Sequence, residues 1–229
     1  MTVRMIATDL DRTLLDREHS VSERSADALR AARNAGVIVV AATGRAPLSA
    51  MERLARHDIV DMLVCSNGSL IHDPRTNRST DRFPIDATSV AEVFACLDAA
   101  LPGVSFCWEA EDHSAWDEGF HEIAIEHPDL STFTPAPRPD ASLSITKLMV
   151  LHPTIERELL LAALREHLDV PVTLASSGVR FVEVTGEGIS KAHALAVLAG
   201  RFGVDPSEVV AFGDNHNDIA MLEWAGSGV

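Results

Sequence analysis

Residues 3–13 read VRMIATDLDRT, a short apolar run that stops on two acids. The run lacks the alternation of a half-exposed strand, so it predicts a strand buried on both faces, as in a parallel sheet. Two runs of the same type follow, Val37–Ala42 and Asp61–Cys65. Helical patterns separate them. The first has Ser22 as N-cap, Ala28, Leu29, Ala32 and Ala35 along one side, and Gly36 at its close. The second follows Thr43-Gly44-Arg45 and carries Pro47 in its first turn, where a missing N–H costs nothing. Ser66-Asn67-Gly68 is a turn signal after the third strand. The order β-α-β-α-β predicts an α/β, doubly wound (Rossmann-like) core with a parallel sheet and right-handed crossovers.

The pattern changes near residue 83. A helix is expected over Ala87–Ala100, strands over Val104–Glu109, Lys147–Leu151, Val170–Ala175 and Arg180–Val184, and a helix over Ile155–His167. The proline-rich stretch Pro128–Pro139 reads as an extended loop. After Gly186-Glu187-Gly188 the first pattern returns, with a helix over Ser190–Phe202, a buried strand over Val209–Phe212 and a helix over Asn217–Trp224. The chain therefore divides into a split core, residues 1–82 and 186–229, around an inserted α+β domain, residues 83–185.

Composition narrows the function. The 229 residues are 46% hydrophobic and 23% charged, as expected of a globular protein with a sizeable core. Nineteen Lys and Arg against 34 Asp and Glu give a net charge of −15. That balance speaks against nucleic acid, which is bound by clustered cations, and against an anionic membrane surface. The three cysteines, Cys65, Cys96 and Cys107, form no CxxC pair. Zinc and thioredoxin-like readings fail, and reduced thiols in a cytoplasmic protein are expected. No apolar stretch approaches the roughly 20 residues of a membrane span, and the N-terminus does not read as a signal peptide.

The acids fall where an open parallel sheet binds ligands, beyond the carboxyl ends of its strands. Asp9 and Asp11 close the first strand, and Asp214 and Asp218 follow Val209–Phe212. In extended chain Asp9 and Asp11 share a side, and acids so crowded stay ionised only beside a cation. An oxygen-preferring divalent ion fits, Mg2+ being usual where phosphate is present. Thr43 and the Gly44 N–H offer an anion-binding start of a helix. Lys191 stands in the first helical turn against the helix dipole, and a phosphate would be its partner. Acids, metal, cation and hydroxyl together are equipment for phosphoryl transfer.

Asp9-Leu10-Asp11-Arg12-Thr13, Thr43-Gly44-Arg45, Lys191 and Gly213-Asp214-Asn215-His216-Asn217-Asp218 resemble, in order and spacing, motifs I to IV of the haloacid dehalogenase-like (HAD) superfamily. The insertion between motifs II and III resembles the Cof-like group with its type IIB cap. The resemblance implies a phosphatase of small phosphorylated metabolites, sugar phosphates or phosphorylated cofactors. Asp9 would be the nucleophile and Asp11 the general acid and base. Mg2+ would be held by Asp9, the Asp11 carbonyl and Asp214. Leu10 N–H, Thr43, Gly44, Lys191 and Asn217 would bind the phosphoryl oxygens, with Asp218 orienting Lys191 or a metal-bound water. Relatives of this pattern continue with one more strand and helix, so the core is expected to be incomplete at Val229.

Blander readings stand beside these. Asp9 and Asp11 alone could be a solvated loop, and Asp218 a partner of a helix dipole. Arg45 reads as a structural residue at a helix start. Trp108, Glu109, His113, Trp116 and His121 could line a substrate pocket, although aromatics in such a domain are more often core. A phosphomutase would use the same residues. A receiver domain would carry its acceptor Asp elsewhere and lack GDxxND. A regulatory protein with a vestigial site fits least, since every motif position is intact. The sequence does not specify the oligomeric state.

Overall fold

A computed structural model describes residues 2–110, 113–120, 133–140, 142–176 and 180–229. In chain order the strands are β1 (Met5–Thr8), β2 (Ile38–Ala42), β3 (Met62–Cys65), β4 (Leu70–Asp73), β5 (Arg78–Arg82), β6 (Ser105–Ala110), β7 (Ser114–Trp116), β8 (Thr134–Pro135), β9 (Ile145–Leu151), β10 (Val172–Ala175), β11 (Val182–Gly186), β12 (Val209–Phe212) and β13 (Ser227–Gly228). The helices are α1 (Glu23–Asn34), α2 (Pro47–Leu54), α3 (Ala87–Ala100), α4 (Arg157–His167), α5 (Lys191–Phe202) and α6 (Ile219–Trp224). The chain forms two compact units, Met1–Arg82 with Ile189–Val229, and Phe83–Gly188. The second crossing falls at Gly188 rather than residue 185, because β11 runs through Gly186 and pairs with β10 and β9.

The first unit is built on a seven-stranded sheet in the order β13-β12-β1-β2-β3-β4-β5. From β13 to β3 all pairings are parallel. Val39, Val40, Ala41 and Ala42 are all buried, as expected when both faces of a sheet are covered. One of those faces packs Val39, Ala41 and Leu63 against Ala26, Leu29, Ala50 and Leu54 of the helices. The helix signals lie where the chain chemistry put them. Ser22 accepts from the Ser25 N–H, Ser190 accepts from the His193 N–H, Pro47 opens α2, and Gly203 closes α5 at φ +62°.

One departure from the sequence expectation stands out. The sheet is mixed, because β4 and β5 form an antiparallel hairpin on its edge. The polar run Arg78–Arg82 conceals a strand that is only half covered, and Asn77, at φ +53°, supplies the turn. The chain after Gly226 forms the edge strand β13, which runs parallel to β12.

The second unit is a six-stranded sheet, β10-β11-β9-β6-β7-β8. Along β6 and β9 the residues alternate between two clusters, apart from an irregularity at Glu109/Ala110. Phe106, Trp108, Leu148, Val150, Val182 and Val184 join Val93, Leu97, Leu160 and Leu164 of α3 and α4 in one core. Cys107, Met149, Leu151 and Phe181 form a smaller cluster with Trp116, Phe120 and Phe133. The proline-rich stretch, as far as it is described, is fastened by Arg138. Its guanidinium pairs with Asp98 and Asp117 and lies 4.4 Å over the Phe106 ring. Pro128 lies outside the described residues.

This sheet also buries charge. Lys147 Nζ lies 2.9 Å from Glu109 Oε1 and 3.2 Å from Glu183 Oε1, and the three side chains are 3%, 6% and 2% exposed. Burial disfavours the ammonium, but the two carboxylates win and hold Lys147 above its ordinary range. Removing the cation would leave two buried carboxylates facing each other. Lys147→Met is expected to destabilise the protein by about 3–5 kcal/mol. Replacing all three residues by apolar ones of similar volume should recover most of that loss, as read by urea unfolding.

Candidate active site

The strand order turns back on itself at β1. From β1 the chain steps outward through β2 to β3, whereas β12 lies on the other side of β1. Ligands of such sheets bind beyond the carboxyl ends of the strands at that switch point. Asp9 follows the last residue of β1, and Gly213-Asp214 follow the last of β12. Thr43 follows β2, which pairs with β1 in register Thr8↔Ala41. The Asp9 N–H donates to the Phe212 carbonyl at 2.9 Å, tying the two acid-bearing ends together.

Lys191 is the centre of this arrangement. It is 1% exposed, and its Nζ donates to Asp9 Oδ1 and to Asp218 Oδ1, both at 2.6 Å. The dipole-opposing lysine thus already has two anionic partners, where the sequence reading had looked to a phosphate. Burial lowers its affinity for a proton, the two carboxylates raise it, and the net direction is upward. Asp218, completely buried, has its other oxygen occupied as well. Oδ2 accepts from the backbone N–H groups of Asp214 (3.2 Å) and Asn215 (3.1 Å). Gly213 is required beside it, since a Cβ there would lie 2.5 Å from the Asp218 Cβ.

Carboxylate oxygens of Asp9, Asp214 and Asp218 all lie within 4.8 Å of one another. Lys191 balances one of these three charges, which leaves a local surplus of two. An all-oxygen, doubly negative set suits a hard divalent cation. With both Asp218 oxygens engaged, Asp9 and Asp214 are the side chains able to face it. Asp214 also accepts from Thr13 Oγ1 at 3.4 Å.

Asp11 is held by a different cation from Asp9. The chain leaves the extended conformation after β1, and Arg12 adopts a left-handed φ of +65°. Asp11 turns instead to Arg45, whose Nε and Nη2 donate to its two oxygens at 2.8 and 2.6 Å. His19 Nδ1 lies 3.7 Å from the same carboxylate. Each of the two acids therefore has its own cation, while Asp11 still adds to the rise of the Asp9 carboxyl. A bidentate clamp like that of Arg45 on Asp11 fixes the plane of the carboxylate it holds. Arg45 Nη1 also donates to Ser49 Oγ of α2 at 3.0 Å, the structural place at a helix start expected from the sequence. Its backbone N–H also donates to Thr43 Oγ1, and the Thr43 N–H to the Val64 carbonyl. Thr43 and Leu10 are buried, and Gly44 stands between Thr43 and Arg45 at the start of the α2 loop.

Asn217 Nδ2 donates to Asn67 Oδ1 at 3.0 Å. In the sequence, Asn67 reads only as part of the Ser66-Asn67-Gly68 turn. Of the aromatic and polar residues proposed for a pocket in the second unit, Trp108 belongs to the main core, Trp116 stacks on Phe133, and Glu109 pairs with Lys147. His113 lines a cavity of about 320 Å³ with Trp108, Pro137 and Arg138. His121 lies outside the described residues.

The whole chain from residue 6 to residue 229 matches the model of a family described as haloacid dehalogenase-like hydrolase. The 5-amino-6-(5-phospho-D-ribitylamino)uracil phosphatase YcsE of Bacillus subtilis is 29% identical over 227 residues, covering 99% of this chain and 83% of its own length. The HMP-PP phosphatase of Serratia proteamaculans is 28% identical over 242 residues, covering 99% of this chain and 82% of its own. A solved haloacid dehalogenase-like hydrolase from B. subtilis superposes with a TM-score of 0.81 at 26% identity, over 99% of this chain and 88% of that one. Among the described residues, no helix is long and apolar enough to cross a membrane.

Burial pushes the Asp9 carboxyl up to about 6 against the pull of Lys191, with Asp218 and Asp11 adding to the rise. A raised acid stabilises the fold while it is protonated. Its contribution is complete below the ordinary value of 3.8 and is lost as pH rises through about 6. The metal-free protein should therefore lose about 2–3 kcal/mol of stability from this group between pH 4 and 6.5. Asp9→Asn should flatten that part of the profile in urea unfolding.

Proposed function

The chain belongs to the haloacid dehalogenase-like hydrolase family and is a phosphatase of that family. From that premise we propose a Mg2+-dependent hydrolase of small phosphomonoesters that works through an aspartyl-phosphate on Asp9. The observation that carries this reading is the buried Lys191 between Asp9 and Asp218, with Asp214 beside them at the switch point of the sheet.

An Asp9 oxygen attacks phosphorus in line with the ester bond, which breaks as the acyl phosphate forms. The departing alkoxide takes a proton from Asp11. A water then attacks phosphorus and gives a proton back to Asp11. The bond from phosphorus to Asp9 breaks, and inorganic phosphate leaves. Asp11 carries each proton on an oxygen released from Arg45, while the other contact with the guanidinium holds the carboxyl group in place. Thr43, the N–H groups of Leu10 and Gly44, Lys191 and Asn217 bind the phosphoryl oxygens. Bound by Asp9, Asp214 and the Asp11 carbonyl, Mg2+ supplies Lewis-acid polarisation and neutralises charge on the phosphoryl group. Asp218 holds Lys191 in place and fixes the Gly213–Asn215 turn.

The second unit, in this reading, is the cap that contacts the rest of the substrate, a sugar phosphate or a phosphorylated cofactor or its precursor. The relatives named for phosphorylated small molecules support that class. A cytoplasmic setting agrees with Cys65, Cys96 and Cys107 standing outside any disulfide. With a net charge of −15, capture of an anionic substrate rests on the metal and Lys191 rather than on the field of the whole protein.

Hydrolysis of an aryl phosphate should require Mg2+, stop on chelation, and fall about a thousandfold or more in Asp9→Asn. Full activity in that variant would sink the mechanism. Interconversion of phosphate isomers without release of inorganic phosphate would make the enzyme a mutase instead. Arg45→Lys keeps the charge but loses the two-point grip on Asp11. It is expected to lower kcat about tenfold with little change in KM, measured by steady-state kinetics.

A further inference from the structure

The turn after β3 touches three of the segments that bear proposed phosphate-binding groups. Ser66, Asn67 and Gly68 have φ of +51°, +56° and +101° in succession. This unusual backbone is tied down from outside. The Ser66 N–H donates to the Arg45 carbonyl at 2.9 Å, and the Asn67 N–H to the Thr43 carbonyl at 3.0 Å. Gly68 sits under the start of α5, where a Cβ would lie 2.0 Å from the Ser190 carbonyl oxygen, one residue before Lys191. The Asn67 side chain reaches Asn217.

The two amides are the informative part. Asn67 is 3% exposed, and Asn67 Nδ2 and Asn217 Oδ1 are both buried with no hydrogen-bond partner. Leaving two buried amide atoms unsatisfied is unfavourable, and a group that binds there would complete them. The pair is also symmetric. Turning both amides over keeps the 3.0 Å contact and reverses its direction, so that Asn67 Nδ2 donates to Asn217 Oδ1. Asn217 Nδ2 then occupies the buried vertex that lacks a partner, and its N–H groups need an acceptor there.

Resting on the phosphatase reading above, we propose that Asn67 is a positioning residue. It donates to Asn217 Oδ1 and so presents the Asn217 Nδ2 to a phosphoryl oxygen. The left-handed backbone suits this use, since Asn tolerates that conformation better than most residues and carries a side chain able to donate. Asn67 touches no reacting atom and acts only through Asn217.

The test is a double-mutant cycle on the Mg2+-loaded protein, using Asn67→Gly, Asn217→Ala and the pair together. Glycine keeps the left-handed backbone, and thermal unfolding checks that the fold is intact. The readouts are kcat/KM for an aryl phosphate and the inhibition constant of inorganic phosphate. Asn67→Gly is expected to weaken phosphate inhibition and lower kcat/KM about tenfold, as for loss of one hydrogen bond to a charged group. On the Asn217→Ala background the same change should do almost nothing. Additive losses, or an Asn67→Gly enzyme that binds phosphate like the unmodified protein, would overturn the role of Asn67 and leave the phosphatase reading intact. An unmodified protein without metal-dependent turnover would overturn both.

Discussion

Everything in the first unit is arranged around one buried ammonium. Lys191 comes from the start of α5, Asp9 from the end of β1, and Asp218 from the loop after β12. Taking three such ions out of water costs several kcal/mol each, which is recovered only with short contacts and satisfied oxygens. The structure meets that demand at 2.6 Å on both sides and by aiming two backbone N–H groups at the remaining oxygen of Asp218. The same constraint explains Gly213, which must lack a side chain for Asp218 to fit. It also explains why Asp9 stays hard to ionise. Lys191 is shared with Asp218, burial dominates, and the site keeps room for further positive charge.

The second pairing, Asp11 with Arg45, solves a related problem. Two carboxylates two residues apart would repel if they faced the same point. Each receives its own cation, Arg45 for Asp11 and Lys191 for Asp9. In the proposed chemistry the two acids have different tasks, one attacking phosphorus and one moving protons. Different surroundings are how two residues of one type acquire different roles. The Ser66–Gly68 turn then links the Arg45 loop, the start of α5 and Asn217, so that these segments cannot shift independently.

The buried triad in the second unit follows the same rule on a different scaffold. Glu109 and Lys147 are direct cross-strand partners, while Glu183 reaches Lys147 from the strand on the other side of β9. Glu183 Oε2 has no hydrogen-bond partner among the described residues. The six-stranded sheet therefore buries an ion-paired cluster in which one oxygen lacks a partner, a feature that alternation alone does not require.

Much of this was legible in the chain. Fully apolar runs gave the buried parallel strands, because a sheet covered on both faces needs no alternation. Caps such as Ser22, Ser190 and Pro47 marked helix starts, because their chemistry is local. The order of Asp9, Thr43, Lys191 and Asp214 predicted one convergent rim, because parallel strands bring their carboxyl ends to one side. The β4–β5 hairpin escaped, since a half-covered edge strand such as Arg78–Arg82 needs no apolar pattern. Sequence by itself thus determined the parallel core strands, the main helices, their order and the residue types of the site, all of which follow from local preference and period. Tertiary structure alone decided the pairings: that Lys191 answers Asp9 and Asp218, that Arg45 holds Asp11, and that Asn67 faces Asn217. Those partners lie between 27 and 182 residues apart. Their attraction depends on separation in space, which no local propensity encodes.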